Sequence, residues 1–468
     1  MGKHLKWPAA LAAAAMVLTA CGDGGGDADE PADADADAAA ETDTDTDTDT
    51  DSDADADADA DEASDDVDLA GTTVSVFGAP TSVEADAINA VIDEFVNQPT
   101  GMDAFYEGSD SFEEQILIRI EGGNAPDLAL YPQPGAVVEQ AAAGNAVSLE
   151  ELGFDIAELE ATFGSYLLSL GEYEGEHYGI PTNANLKSLV WYNIPTFEAE
   201  GYEIPETWED LIALSEQMVD DGHTPWVIGT GSDAATGWPA TDWMEDIVLR
   251  DQGVDVYDGW VDNSVPFDSP EIKAAAERFA EIAFNEDFVV GGTSAIPDID
   301  FREAPDAIIG DEPAALMHRQ ASFIVNFFPE GAEFGTDYGV FPFPSIDGND
   351  GALIAGELGV VFDDRPEVRE FIARFTDTEA QCAGGDFADV SRISPNINTT
   401  ADCYADEVVA VSAETIIDAL NEGTARFDAS DLMPPEVGSG SFWTGMNEWM
   451  RGADLDDVLD DIEGGWPS

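Results

Sequence analysis

Thr72-Thr-Val-Ser-Val-Phe-Gly78, Met102-Asp-Ala-Phe-Tyr106 and Asp127-Leu-Ala-Leu-Tyr131 are three short runs on which the fold turns. The first closes on a glycine and the third on Pro132-Gln-Pro-Gly135. Apolar residues recur between them at a helical period: Ile88, Val91, Ile92 and Phe95, then Phe112, Ile116 and Ile120, with Thr81 or Ser82 placed to cap the first helix. Strand, helix, strand, helix, strand predicts an α/β fold with a parallel sheet covered on both faces. Ligands of such sheets sit beyond the carboxyl ends of the strands. That rule selects 79–84, 107–109 and 131–134, and within them Glu84, Glu107, Ser109 and Gln133, the last held in a loop fixed by two prolines.

Further along, 178–181 and 189–192 read as strands, and Thr207 caps a helix (TWEDLIALSEQM). Helices are expected at 242–251, 270–285 and 302–309, and strands at 314–317, 338–341 and 358–362. The chain closes in helices at 365–376, 405–420, 442–450 and 455–462. About 400 residues follow position 68, too many for one ordinary domain, so two lobes are expected.

The chain opens with Lys3, His4 and Lys6, then an apolar run of about 13 residues, well short of the roughly 20 needed to span a bilayer. It reads as an export signal over 1–20. Leu18-Thr-Ala-Cys21 resembles a bacterial lipobox, which implies lipidation of Cys21 and anchoring at the outer face of the cell membrane. From 21 to 68 the chain alternates Asp with Ala or Thr, offers no apolar face, and reads as a disordered tether. Extended, it would reach about 155 Å.

The chain carries 101 Asp and Glu against 15 Lys and Arg. The tether holds 22 of the acids and the signal two of the bases, so 79 acids face 13 bases in the folded part. Such a field excludes nucleic acid and anionic membrane surfaces as partners and points to a saline habitat, where screening shortens it. Cys382 and Cys403, both in an exported protein, are expected to form a disulfide. Neither has histidine neighbours at metal-ligand spacing, so no metal or cofactor is expected. The Asp347-Gly-Asn-Asp-Gly351 run lacks EF-hand spacing and reads as a turn.

A set of ordered stretches then narrows the class. Tyr178-Gly-Ile-Pro181 and Trp191-Tyr-Asn193 are followed by Pro205-Glu-Thr-Trp-Glu-Asp-Leu211. Gly122-Gly-Asn-Ala-Pro-Asp-Leu128, Gly237-Trp-Pro-Ala-Thr-Asp-Trp243, Ala315-Leu-Met-His-Arg-Gln320 and Ser391-Arg-Ile-Ser-Pro-Asn396 accompany them. The set resembles bacterial extracellular solute-binding proteins of the maltose-binding type, closest to the α-glucoside branch through GWPATDW and EGSDSFEEQI. The resemblance implies a two-lobe periplasmic-binding-protein-like fold (type II), with a ligand cleft between lobes joined by a hinge. It further implies a monomer that captures a sugar and passes it to the permease of an ABC importer. Lobe boundaries are expected to give 69–182 and 313–352 to the first lobe, and 183–312 and 353–468 to the second.

Sugar capture needs aromatic plates for C–H faces and charged or amide side chains for hydroxyls. Trp238, in a Gly/Thr-rich stretch ahead of a helix, is the expected plate, and Trp443 a rim position. Asp242 serves as ligand contact or helix cap. Arg319, one of few bases, ends a strand. Glu357 stands in Ala-Gly-Glu-Leu-Gly, a departure from the family's more common Gly-Gly-Asp. Asn183 and Asn185 fall where the resemblance places the first crossing. Two rivals remain. A same-fold protein could bind an osmolyte, polyol phosphate or peptide. An exported glycosidase would need a carboxylate pair, but with 79 acids a pair carries no information. No Gly-x-Ser-x-Gly, His-Glu-x-x-His or phosphate-loop motif occurs.

Overall fold

The three runs form the parallel core that the sequence predicts. In the computed structural model, which describes residues 68–384, 390, 392–404 and 406–467, β1 (Thr73–Gly78) pairs in parallel with β2 (Asp103–Gly108), Thr73 opposite Asp103. β3 (Leu128–Tyr131) lies parallel on the other side of β1. Helices Ser82–Val91 and Phe112–Glu121 make the connections and bury Ile88, Val91, Phe112 and Ile116. The signal, Cys21, the acidic tether and Ser391 lie outside the described residues.

A small hairpin follows, β4 (Glu172–Tyr173) with β5 (Glu176–His177). β6 (Ile180–Leu186) then pairs antiparallel with β11 (Ala352–Val361), which also pairs with β3 and with β12 (Ala425–Phe427). The first sheet therefore runs β12-β11-β3-β1-β2, with β6 on the free side of β11. All ten residues of β11 are buried, as a strand paired on both edges requires. At Gly356 a side chain is excluded: a Cβ there would lie 2.1 Å from the Asn183 carbonyl oxygen.

The second sheet holds β7 (Leu189–Asn193), β8 (Trp226–Val227), β9 (Met317–Arg319) and β10 (Tyr338–Pro342) in the order β10-β7-β9-β8. The chain passes between sheets at Lys187-Ser188, over 343–351, and again after β12. Trp243 stacks on Phe279 at 5.4 Å and meets Trp226 edge-on at 5.3 Å in the second core. Helix Pro366–Phe375 packs into the first core, whereas Trp443–Met450 and Leu455–Glu463 close the second.

Three expectations about organisation change. β9 and β10 belong to the second sheet and β6, β11 and β12 to the first, so these strands lie opposite to the expected 313–352, 183–312 and 353–468 assignment, whereas 429–463 packs in the second core as expected. The reason is β11 itself, a buried strand that pairs with β3, β6 and β12. The helix expected at 242 begins at Trp238, with Pro239 in its first turn, where the missing N–H costs nothing. The helix expected over 302–309 is only a 3₁₀ turn, Ala304–Ile308, because Pro305 disfavours α geometry at the residue before it. The Cys382–Cys403 disulfide is formed. No described helix is long and apolar enough to cross a membrane.

Candidate functional site

Strand ends of the first sheet and helix starts of the second lobe enclose a cavity of about 220 Å³. β1 delivers Ala79 to Thr81 and Glu84, β2 delivers Ser109 and Asp110, and β3 delivers Pro132 and Gln133. These are the three carboxyl ends selected from the sequence. β6 adds Asn183 and Asn185, alternate residues sharing one face of a strand, and Lys187 follows just beyond its end. Glu357 of β11 lies beside them.

The opposite wall is aromatic. Trp238 is the first residue of helix Trp238–Asp251, and Trp443 the first of Trp443–Met450. Gly237 brings the two together: its φ of +126° turns the chain, and a Cβ there would sit 2.5 Å from the Trp443 carbonyl oxygen. Trp238 is half-buried, edge-on to Phe301 at 4.9 Å and 6.0 Å from Phe323, and Phe327 extends the wall. Edge-on packing fixes the indole plane.

Polar groups face this wall. The Asn183 Oδ1 is buried without a partner, an acceptor left for a donor from the cavity. Gln133 donates to Glu113 at 3.3 Å, and Gln115 donates to the Ser109 hydroxyl at 2.8 Å. Arg392 donates to Glu357 at 2.8 Å. Burial, and then the charge of Glu357, push the Glu84 carboxyl up to about 7. Burial likewise raises Glu113, and burial with the neighbouring Asp428 raises Asp431 well above the usual carboxylate range. Several cavity acids are thus held toward their neutral form, in which a carboxyl both donates and accepts.

Eight of the residues singled out in the sequence line the cavity: Glu84, Ser109, Gln133, Asn183, Asn185, Trp238, Glu357 and Trp443. Three do not. Glu107 is exposed and paired with Arg119, because it ends the edge strand of the sheet. Asp242 and Arg319 are fully buried and bond to each other at 2.9 Å. Asp242 is therefore neither a ligand contact nor the helix cap. Lys187, Asp110, Glu113, Phe301, Arg302, Phe323, Phe327, Arg392 and Asp431 were not selected and line the cavity.

Asp242 and Arg319 belong to a buried ionic cluster at the chain crossings. Lys187 donates to Asp242 at 2.8 Å and to Asp428. Arg319 also binds Asp246, as does Arg250, and the Ser188 hydroxyl donates to the same carboxylate. Ser188 Oγ in turn accepts from the Leu353 N–H, at the start of β11. Carboxylate oxygens of Asp242, Glu245 and Asp428 lie within 4.8 Å of one another, a spacing that suits a cation. The Lys187 ammonium already supplies that charge.

Two α/β lobes linked by three crossings, with a polar and aromatic cavity between them, define a protein that encloses a small solute. The comparisons agree. The model for bacterial extracellular solute-binding protein matches residues 79–381. The alpha-glucosides-binding periplasmic protein AglE of Rhizobium meliloti is 37% identical, covering 86% of this chain and 88% of its own. The osmoprotective compounds-binding protein GgtB of Synechocystis is 36% identical, covering 84% of this chain and 92% of its own. Among solved structures, the bacterial solute receptor AcbH superposes with a TM-score of 0.71 at 18% identity, over 84% of this chain and 98% of that one. Maltose-bound MalE3 of T. maritima gives 0.65 at 15%, over 84% and 98%. The chain belongs to the bacterial extracellular solute-binding proteins, and its fold is theirs. Membership places it outside the cytoplasm.

Proposed function

We propose that the chain is the substrate-binding component of an ABC importer and that its ligand is a neutral di- or oligosaccharide, an α-glucoside. The single observation that carries this reading is the opposition in the cavity of Trp238 to unfulfilled or neutral polar groups, the orphan Asn183 Oδ1 above all. A sugar presents C–H faces to the first and hydroxyl donors to the second. The similarity to AglE supports the α-glucoside class. Closure of the lobes over the sugar would favour the liganded state and present it to the permease.

Isothermal titration of the chain with maltose, trehalose and sucrose in high salt tests the proposal: saturable binding of one supports it, and no heat from any refutes it. A second reading, an osmoprotective solute, is favoured by the similarity to GgtB and is tested by including glycine betaine in the panel. The chain would act as a monomer, tethered by a lipidated Cys21 on its acidic arm. The acid excess would suit a saline medium. Mass spectrometry of membrane-extracted protein tests the lipid, and unfolding midpoints at low and high KCl test the salt requirement.

A further inference from the structure

The mouth of the cavity carries an ion pair that joins the two lobes. Arg302 follows Phe301 in the second lobe, and its Nη2 donates to Asp110 Oδ1 of the first lobe at 2.8 Å. On its own side the same guanidinium meets Asp300 at 3.3 Å and Asp233 at 3.6 Å, and it lies 4.7 Å over the Phe301 ring. Phe301 in turn packs edge-on against Trp238. Arg302 is thus anchored on the aromatic wall and reaches across to the loop after β2. Asp110 is held from below by the Thr81 hydroxyl at 3.2 Å. In a chain with 13 bases in its folded part, one of them placed on three acids where the two lobes meet at this cavity is a specific use of a scarce group.

We propose that Arg302 and Asp110 form a latch that positions the lobes in the closed form, and that its strength is set by the wall on which a ligand stacks. A solute resting against Trp238 and Phe301 fixes the platform of Arg302 and so favours the bond to Asp110. The proposal rests on the solute-binding reading for its ligand arm but not for its apo arm. Both partners are partly exposed, with side-chain accessibilities of 27% and 46%, so the latch is a modest bias and is weakened by salt.

The test is a double-mutant cycle read by pulsed spin-label distances. Labels go at Ile118 in the first lobe and Ile204 in the second, both exposed, in full-length protein with Cys21→Ser. In the unliganded protein, Arg302→Gln and Asp110→Asn are each expected to raise the open-to-closed ratio by about fivefold at low salt. The double variant should match the singles, Arg302→Lys should restore most of the closed population, and high KCl should erase the difference. Distances unchanged in both singles, or a double variant equal to the product of the two, would overturn the latch. Maltose, trehalose and sucrose are then titrated. If none binds while the apo cycle couples, the sugar reading fails and the latch stands; if one binds with equal affinity in parent and variants, the coupling to the wall fails.

Discussion

Replacing Lys187 by Met keeps the aliphatic stem and removes the one ammonium in the buried cluster. Lys187 is 6% exposed, and its partners Asp242 and Asp428 are 0% and 1% exposed. Asp242 would keep Arg319 at 2.9 Å. Asp428 would keep only the Ser430 hydroxyl and the Asp431 N–H, at 2.8 and 3.0 Å. Burial pushes the Asp428 carboxyl up, and Lys187 more than reverses it, so the parent holds it below the usual range. Breaking a buried pair on one side costs about 3–5 kcal/mol, and that is the loss expected in denaturant unfolding. The pH dependence follows. In the parent a depressed Asp428 contributes stability above its ordinary pKa, lost as the pH falls. In the variant burial, the largest influence, outweighs the remaining Ser430 and Asp431 hydrogen bonds, the pKa rises, and stability is lost as the pH rises from about 4. The deficit should therefore shrink toward acid. Adding Asp428→Asn should recover part of the loss, since removing both charges costs less than removing one. A deficit under about 1 kcal/mol, or a double variant less stable than the single, would refute the account of the cluster.

Trp238→Ala should weaken sugar binding at least tenfold, about 1.4 kcal/mol, in calorimetry while the protein stays folded, because a half-buried plate is lost rather than a core residue. Unchanged affinity would remove Trp238 from the site. Glu84→Gln should gain stability relative to the parent as the pH rises between its ordinary value near 4.5 and about 7, since a raised carboxyl costs stability across that window. A flat difference in urea unfolding from pH 4.5 to 8 would contradict the burial of that carboxyl. Gly356→Ala should cost at least about 2 kcal/mol, because the new Cβ meets backbone that cannot move aside. A variant as stable as the parent would show that β6 and β11 are not so closely joined.

The parallel core was legible because period and punctuation agreed: alternating strand runs, apolar residues at helical spacing, and Gly78 or Pro132 at the strand ends. Those ends also located half of the cavity. Lobe membership was not legible, because it depends on pairing across long separations. β11 meets β3, β6 and β12, and nothing within 352–361 says which of these it will meet. Trp238 was found by residue type, although it starts the helix instead of preceding it; a Gly/Thr-rich approach hid a helix whose first turn is set by Gly237 and Pro239.

The charged residues show why the remainder of the site stayed hidden. With 79 acids, an Asp or Glu carries little information, and nothing in the sequence distinguishes Asp110 from Asp242. Bases are the informative minority, yet two of them divide the roles in a way sequence cannot predict. Arg319 ends a three-residue strand and is consumed by Asp242 and Asp246 in the interior. Arg302, beside an aromatic at a bend, reaches the cavity mouth. Lys187 does both, sealing the buried cluster while its ammonium lies 5.1 Å over the Trp238 ring. Lys187 thus touches both the aromatic plate and the segments that cross between the lobes. Lys187 occupies that position because it directly follows β6, whose Asn183 and Asn185 line the same cavity, as the chain leaves the first lobe.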